Sequence, residues 1–280
     1  MRRAVELSLR GVGRVEPNPR VGAVIVDEDG EIVGEGYHGR FGGPHAEIEA
    51  IARAGRATEG GTLYVTLEPC AHEGKTPPCT RAILEAGIRR VLVASRDPNP
   101  EATGGMEALR MAGIEVETGL LALESARANA PFLWWHVTGE PFVALKLAVS
   151  LDGRIARRAG ARSAITGPEA GREVMRLRAA SDAILIGSGT AGVDDPLLTV
   201  RDLPARNRVP LRVVLDSGAR LPATSRLARS VGEAPLLLFA AEDADPGRVD
   251  RLEDETLLDL IHAEHGMADA VDRHALSLVE

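Results

Sequence analysis

Residues 66–79 read Thr-Leu-Glu-Pro-Cys-Ala-His-Glu-Gly-Lys-Thr-Pro-Pro-Cys and contain both cysteines of the chain, Cys70 and Cys79. Upstream, His45-Ala-Glu47 follows a Gly-Gly-Pro turn and begins a predicted helix. One imidazole and two thiolates suit a tetrahedral zinc ion that keeps its fourth position open, which is typical of a catalytic rather than a structural site. Zinc lowers the pKa of bound water to about 7, and Glu47 can reach such a water without binding the metal.

The order of these residues is that of the zinc deaminases, in which His-x-Glu precedes Pro-Cys and a second cysteine, and the glutamate carries protons. Each residue alone has a simpler explanation, since a histidine often begins a helix and a cysteine often packs as a small apolar side chain. The ordered set is not explained in that way. The sequence departs from the general pattern in one respect, because eight residues instead of two separate the cysteines.

Composition limits the partners of the protein. The chain has 280 residues, 33 basic and 41 acidic side chains, and a formal net charge of −8. This acidic balance argues against nucleic acid or an anionic membrane as a general partner, since both bind clustered positive charge. We find no signal-peptide pattern and no membrane-spanning apolar run, and therefore expect a cytoplasmic protein. In that compartment a cysteine pair more often serves a metal or catalytic site than a disulfide.

The first half of the chain alternates between helix and strand patterns. We predict helices at 2–10, 46–54, 80–86, 101–112 and 120–136, and strands at 21–26, 31–36, 62–67, 90–94 and 114–118. Helices that alternate with short buried strands predict a three-layer α/β sandwich. The turn signal Thr138-Gly-Glu-Pro141 ends this series, so we predict one domain over residues 1–140.

A second series fills residues 141–280, which we predict to form another α/β domain. Its predicted strands are 142–148, 183–187, 211–216 and 236–240, and its predicted helices are 168–179 and 255–265. Gly187-Ser-Gly-Thr190 follows an apolar strand and is compatible with a backbone nest for an anion, although a plain loop explains it more simply.

The stretch 66–79 closely resembles the bacterial riboflavin-biosynthesis deaminase–reductase family. Editing and free-nucleoside deaminases lack the long loop between the cysteines, so this match is specific. The resemblance continues through Pro17-Asn-Pro19, Gly36-Tyr-His38, Pro44-His-Ala-Glu47 and Asp97-Pro-Asn-Pro100. It covers essentially all of residues 1–140, and it implies a cytidine-deaminase-like sandwich.

In this family the N-terminal domain hydrolyses the 2-amino group of a diaminopyrimidinone ribosylamino 5′-phosphate and releases ammonia. The resemblance implies that His45, Cys70 and Cys79 bind zinc and that Glu47 carries protons. It also implies substrate-binding roles for six positions, namely Asn18, His38, His72, Lys75, Asp97 and Asn99. Lys75 lies in a Gly-Lys-Thr turn, where its ammonium group can bind a phosphate as a point charge.

Residues 146–154, 187–190, 194–201 and 214–217 resemble the reductase half of the same family. That half has a dihydrofolate-reductase-like fold and uses NADPH to reduce the ribosyl chain to a ribityl chain. The resemblance implies cofactor contacts at Ala148, Thr190, Asp194 and Ser217, substrate contacts at Arg178, Leu198, Arg201 and Glu280, and further reductase positions at Lys146 and Asp152.

Two departures from the family concern this second half. Arg162 and Ala164 stand where the family commonly has a small polar and an aromatic residue. In the family, the glutamate that ends a late strand is followed by two glycines and a loop-helix for the dinucleotide phosphates, whereas Leu276-Ser-Leu-Val-Glu280 ends this sequence. We therefore predict an incomplete dihydrofolate-reductase-like domain that lacks the glycine-rich phosphate loop and does not bind NADPH tightly.

Three alternatives stay open at this point. The chain can be a monofunctional deaminase of another aminopyrimidine with a non-catalytic reductase-like scaffold. It can be a zinc-stabilised binding module, although such a module needs no proton carrier like Glu47. A nucleic-acid editor fits least, because the chain is acidic and lacks a basic, aromatic-lined groove. The predicted open sheet edges also favour a homo-oligomer.

Overall fold

The computed structural model describes residues 1–72, 77–203, 209–255 and 259–263. The chain divides into two compact units, Met1–Val143 and Ala144–Glu280. Among the described residues, no helix combines the length and the apolar character needed to cross a membrane.

The first unit is a five-stranded sheet with helices on both faces. Its strands are β1 (Gly22–Val26), β2 (Ile32–Tyr37), β3 (Thr62–Leu67), β4 (Arg90–Ser95) and β5 (Glu115–Thr118). Its helices are α1 (Arg2–Ser8), α2 (Ala46–Ala54), α3 (Cys79–Glu85), α4 (Gly105–Met111), α5 (Ala122–Ala128) and α6 (Ala130–Thr138), with 3₁₀ turns at Leu9–Gly11 and Gly55–Thr58. The strand order is β2-β1-β3-β4-β5, in which β1 is antiparallel to both neighbours and β3, β4 and β5 are parallel.

Two apolar clusters hold the helices of this unit against the sheet. The larger cluster joins inward-facing strand residues such as Ile25 and Val65 to α2, α3 and α4, and the smaller one joins Val24 to Leu7 of α1 on the other face. The predicted three-layer α/β sandwich is therefore confirmed. A Cβ atom at Gly36 would lie 2.1 Å from the carbonyl oxygen of Ala46, so only glycine lets the first turn of α2 pack so closely on β2.

The helix boundaries of the first unit differ from the prediction in two places. The helix predicted at 120–136 is divided between α5 and α6 at Asn129, because Pro131 lies at the start of α6 and favours a new helix there. The helix predicted at 101–112 begins only at Gly105, after a turn stabilised by bonds from the Ala102 and Thr103 amides to the Asn99 carbonyl.

The second unit contains a four-stranded parallel sheet. Its elements are α7 (Pro168–Ala180), β6 (Ala183–Gly187), α8 (Ser188–Asp194), β7 (Leu211–Leu215), α9 (Arg226–Arg229), β8 (Leu236–Ala241), α10 (Pro246–Glu255) and β9 (Asp259–Ala263). The strands follow one another in chain order, β6-β7-β8-β9. Val214 and Leu238 lie in a core cluster on one face of the sheet, and Val213, Leu237 and Phe239 form another on the opposite face.

Three predictions for this unit were wrong. The strand predicted at 142–148 is irregular and exposed, because no described strand pairs with it and an extended segment needs a hydrogen-bonding partner. The helix predicted at 255–265 lies earlier, where Pro246 begins α10, and residues 259–263 instead pair with β8 as a parallel strand. Gly187-Ser-Gly-Thr190, for which a plain loop was the simpler explanation, instead leads into α8, which begins at Ser188. The strand predicted at 276–280 lies outside the described residues.

Candidate metal centre and active site

Three secondary-structure ends of the first unit bring the proposed metal ligands together. His45 precedes α2 with an extended backbone (φ −72°, ψ 161°), Cys70 follows β3, and Cys79 is the first residue of α3. The His45 Nδ1 atom lies 3.2 Å from the Cys79 sulfur and 3.6 Å from the Cys70 sulfur. The amide of Cys79 donates to the Cys70 sulfur over 3.4 Å, which holds the two thiols side by side.

This donor set fits a zinc ion. One imidazole nitrogen and two sulfurs lie within 4.8 Å of one another, as they must to reach one small cation. Cys70 and Cys79 are both buried and free of disulfide bonds. Two soft sulfur ligands and one imidazole are the ligands that tetrahedral zinc takes in proteins.

Electrostatic coupling links these ligands to Glu47. Hydrogen bonds from Cys79 and then from His45, opposed by burial, lower the pKa of the Cys70 thiol to about 4. The hydrogen bond to Cys70 and burial of the thiol raise the pKa of Cys79. The hydrogen bond to Cys70 also raises the pKa of His45. Burial raises the pKa of the Glu47 carboxyl, which is 3% exposed in the first turn of α2. One thiolate is thus favoured before any metal binds, and Glu47 is suited to hold a proton.

Asn18 and His38 meet beside the metal ligands. The rings of His38 and His45 pack edge to face with centroids 5.6 Å apart. The Nδ1 atom of His38 lies 2.9 Å from the Pro44 carbonyl, which only accepts hydrogen bonds, so Nδ1 carries the proton. Nε2 is then an acceptor, and the Asn18 amide nitrogen donates to it over 3.3 Å. Burial lowers the pKa of His38, which favours this neutral form.

Asp97 and Asn99 lie on the loop that follows β4, and part of their hydrogen-bonding capacity shapes that loop. An Asp97 carboxylate oxygen accepts from the Asn99 amide over 2.9 Å, and the Asn99 side-chain oxygen accepts from the Glu101 amide over 3.1 Å. Burial raises the pKa of Asp97. His72 is exposed two residues beyond Cys70, and Lys75 lies outside the described residues.

Sequence reasoning missed Glu68. This glutamate is 6% exposed, and its carboxylate accepts from the Gly104 and Met106 amides at the start of α4 and from the Asp97 amide. It thereby connects the turn that carries Cys70 to the loop that carries Asp97. An acidic residue that ends a buried strand directly before Pro-Cys was the available signal, since such a carboxylate needs internal donors.

In the second unit, the proposed substrate residues gather around Thr199. Arg178 donates to the Thr199 carbonyl over 3.0 Å, and Arg201 lies 3.4 Å from the Thr199 hydroxyl. Burial, followed by the charge of Arg201, lowers the pKa of the Arg178 guanidinium. Leu198, which precedes Thr199 in the chain, is buried. Two guanidinium groups held close together are suited to bind a phosphate.

The proposed cofactor residues of the second unit are only partly brought together. Thr190 and Asp194 lie on α8 and Ser217 follows β7, at the carboxyl edge of the parallel sheet where open α/β sheets bind ligands. Arg220, in the loop that follows β7, donates to the Ser188 hydroxyl at the start of α8 over 3.1 Å and so connects that loop to α8. Ala148, Lys146 and Asp152 lie in the irregular segment before α7, and Glu280 lies outside the described residues.

Comparison with known proteins assigns both halves of the chain. Residues 1–95 match the family described as the cytidine and deoxycytidylate deaminase zinc-binding region. Residues 141–279 match the RibD C-terminal domain. The sequence is 48% identical over 245 residues to the riboflavin biosynthesis protein RibD of Escherichia coli K12, a match that covers 83% of this chain and 66% of that protein. It is 45% identical over 253 residues to RibD of Bacillus amyloliquefaciens, covering 90% of this chain and 67% of that protein.

Solved structures show the same relationship. RibD of Acinetobacter baumannii superposes with a TM-score of 0.78 at 38% identity, covering 98% of this chain and 76% of that one. A diaminohydroxyphosphoribosylaminopyrimidine deaminase/5-amino-6-(5-phosphoribosylamino)uracil reductase of Thermotoga maritima gives 0.77 at 39% identity, covering 94% and 79%. The chain spans about two thirds of the length of the curated relatives named above, 66% and 67%.

Proposed function

The chain belongs to the RibD family of riboflavin-biosynthesis deaminase/reductases, and on that premise we propose that it deaminates a phosphoribosyl aminopyrimidine with zinc and reduces the product with NADPH. The proposed substrate of the first step is 2,5-diamino-6-ribosylamino-4(3H)-pyrimidinone 5′-phosphate, and the product is 5-amino-6-ribosylaminouracil 5′-phosphate. The observation that carries the first step is the convergence of His45, Cys70 and Cys79 beside a buried glutamate.

Glu47 is the proposed proton carrier of the deamination. When bound by His45, Cys70 and Cys79, zinc supplies the Lewis acidity that makes water a nucleophile at neutral pH. Water then replaces the 2-amino group, so that one C–N bond breaks, one C–O bond forms and ammonia leaves. Glu47 takes a proton from the attacking water and returns it to the leaving nitrogen. Its burial supports this role, because burial raises the pKa of the Glu47 carboxyl and so helps it to hold a proton between the attacking water and the leaving nitrogen.

Residues around the centre are proposed to hold the substrate. His38 is held in one neutral tautomer by Pro44 and is hydrogen-bonded to Asn18, so both side chains have a fixed orientation beside the metal ligands. Asp97 and Asn99 stand on a loop braced by its own hydrogen bonds, so their remaining polar atoms are held in place for a base or a sugar. His72 and Lys75, which follow Cys70 in the sequence, complete the proposed set, with Lys75 assigned to the phosphate.

The second unit is proposed to carry the reductase activity. When bound, NADPH supplies the hydride that reduces C1′ of the opened sugar. Thr190, Asp194, Ser217 and Ala148 are the proposed cofactor contacts. Arg178 and Arg201, which meet at Thr199, are assigned to the substrate phosphate together with the buried Leu198. Lys146, Asp152 and Glu280 remain proposed reductase positions by resemblance.

The proposed setting is a cytoplasmic enzyme that acts on a small phosphorylated molecule and assembles into a homo-oligomer. The described β6 edge supports the last point, because β6 ends the sheet on one side and its Leu185 is 49% exposed. Gel filtration coupled to light scattering measures the assembly directly.

A coupled assay tests both steps in one sample. We expect the zinc-loaded protein to release ammonia from the diaminopyrimidinone phosphate without NADPH, and ammonia and NADPH oxidation are recorded separately. The unphosphorylated riboside and deoxycytidylate serve as matched substrates. Ammonia release from another aminopyrimidine, but not from the phosphoribosyl compound, would favour the monofunctional alternative. Ammonia release without any NADPH oxidation would contradict the proposed reductase step.

A further inference from the structure

We infer that Glu68 is a positioning residue that sets the substrate-facing loop at Asp97 in register with the metal-binding turn at Cys70. This inference rests on the proposed deaminase function, in which those two segments act on the same substrate. The side-chain hydrogen bonds of Glu68 go to the backbone amides of Gly104, Met106 and Asp97, so its inferred effect is exerted through the backbone.

The two oxygens of the Glu68 carboxylate have different partners. Oε1 accepts from the Gly104 amide over 3.0 Å and from the Met106 amide over 3.2 Å, which satisfies the start of α4. Oε2 accepts from the Asp97 amide over 3.4 Å. One buried side chain thus fastens a helix with one oxygen and a loop with the other.

The surrounding packing leaves the turn little freedom. A Cβ atom at Gly105 would lie 1.7 Å from the Pro69 carbonyl oxygen, so the start of α4 rests directly on the residue between Glu68 and Cys70. The amide of Glu68 donates to the Ser95 carbonyl over 3.0 Å, and the Thr80 amide donates to the Cys70 carbonyl over 3.3 Å. Because this side of the turn is already fixed, the Oε2 contact connects a fixed point to the Asp97 loop, beyond the end of β4.

Because Oε1 and Oε2 have different partners, one substitution can remove the contact to the Asp97 loop and keep the contacts to α4. In Glu68→Gln the amide oxygen keeps the two bonds to α4, and the side-chain NH2 group then faces the Asp97 N–H as donor against donor. We expect hydrogen exchange of the Asp97 amide, followed by NMR, to accelerate roughly tenfold, the effect of losing one bond to a charged acceptor. Exchange at Gly104 and Met106 should change less than about threefold.

The same variant should separate substrate binding from chemistry. We expect KM for the diaminopyrimidinone phosphate to rise about three- to tenfold, kcat to change less than about twofold, and zinc content and melting temperature to stay at wild-type values. In an Asp97→Asn background, where the Asp97 carboxylate no longer contributes to substrate binding, Glu68→Gln should add less than about twofold to KM, because Glu68 is inferred to act through Asp97. Glu101→Gln, the same chemical change on an exposed residue of that loop, is the matched control.

The outcomes are distinct. An unchanged Asp97 exchange rate or an unchanged KM in Glu68→Gln overturns the inference. Loss of zinc, or exposure of the Gly104 and Met106 amides, overturns it as well, because Glu68 would then maintain the fold and not the loop. If the wild-type protein fails to deaminate the phosphoribosyl substrate, the proposed function fails while the exchange experiment still decides whether Glu68 holds the Asp97 loop.

Discussion

Glu47 lies two residues beyond a metal ligand, on a helix whose first turn is buried against the sheet. This spacing leaves its carboxylate beside the metal centre without making it a ligand. The proposed metal binding and the proposed proton transfer are therefore assigned to different side chains, and mutation can separate them.

We predict that Glu47→Gln lowers ammonia release at least about a hundredfold, because an amide cannot carry the proton between water and the leaving nitrogen. Zinc content should stay at the wild-type value, as metal analysis of the purified protein would show. Glu49→Gln on the same helix, where Glu49 bonds Arg53, should stay within about twofold of wild type. Full activity in Glu47→Gln would refute the assigned role.

Lysine usage gives an independent argument at the scale of single residues. The chain has 33 basic side chains, of which 31 are arginine and only Lys75 and Lys146 are lysine. Both lysines stand in segments assigned to substrate or cofactor. If these two lysines bind as proposed, arginine cannot simply replace them, since its planar guanidinium differs from a compact ammonium group in shape and donor geometry.

We predict that Lys75→Arg raises KM for the phosphoribosyl substrate roughly tenfold although the charge is unchanged. The unphosphorylated riboside should show a smaller change, because Lys75 is assigned to the phosphate. The reverse exchange at an exposed position, Arg56→Lys, is the control and should leave both values unaltered. Equal KM values for wild type and Lys75→Arg would remove the argument from lysine usage.

Among the elements of the second unit, strand β7 contains an arginine with a fully buried side chain. Arg212 is fully buried on this strand, and burial lowers the pKa of its guanidinium. Its donors reach the Ser230 hydroxyl (2.7 Å), the Ser230 carbonyl (3.1 Å) and the Leu197 carbonyl (3.2 Å), together with the carbonyls of Ala234 and Pro235. This one side chain therefore satisfies the end of α9 and the loop that leads into β8.

We predict that Arg212→Met destabilises the second unit by at least about 3 kcal/mol, since several buried acceptors lose their donor at about 1–3 kcal/mol each. Arg176→Met on the exposed face of α7 should cost less than about 0.5 kcal/mol. Urea unfolding followed by circular dichroism measures the change. A loss below about 1 kcal/mol would mean that the carbonyls find other donors.

At the same scale, the elements show what local pattern can predict. The helices and strands of the first unit follow from apolar periodicity, and the His-x-Glu and Pro-Cys motifs placed the metal ligands because both lie at element ends. Contacts between distant segments left no such pattern. The Asn129 side chain, for example, forms hydrogen bonds with the backbone of Arg20, 109 residues away. The exposed segment at 142–148 was predicted as a strand because its residues have a high strand propensity, but no described strand pairs with it.

For the whole molecule, the core clusters of the described residues fall within one unit or the other. Within the described part of the chain, the candidate metal ligands lie in the first unit, at the starts of α2 and α3 and on the turn after β3. Its own α6 also holds both tryptophans of the chain, Trp134 and Trp135. Tryptophan fluorescence therefore originates in the first unit, while circular dichroism originates in both.

We predict that removing zinc with a chelator lowers the fluorescence-detected melting temperature by about 10 °C. A ligand present at a thousand times its dissociation constant stabilises the folded state by about 4.1 kcal/mol, and each kilocalorie moves the midpoint by about 2–4 °C at this chain length. The transition seen only by circular dichroism should move by less than about 2 °C, because the second unit has its own core. In Cys79→Ser the chelator should have no further effect. An equal shift of both transitions would show that the units unfold together, since metal loss in one core would then destabilise the other.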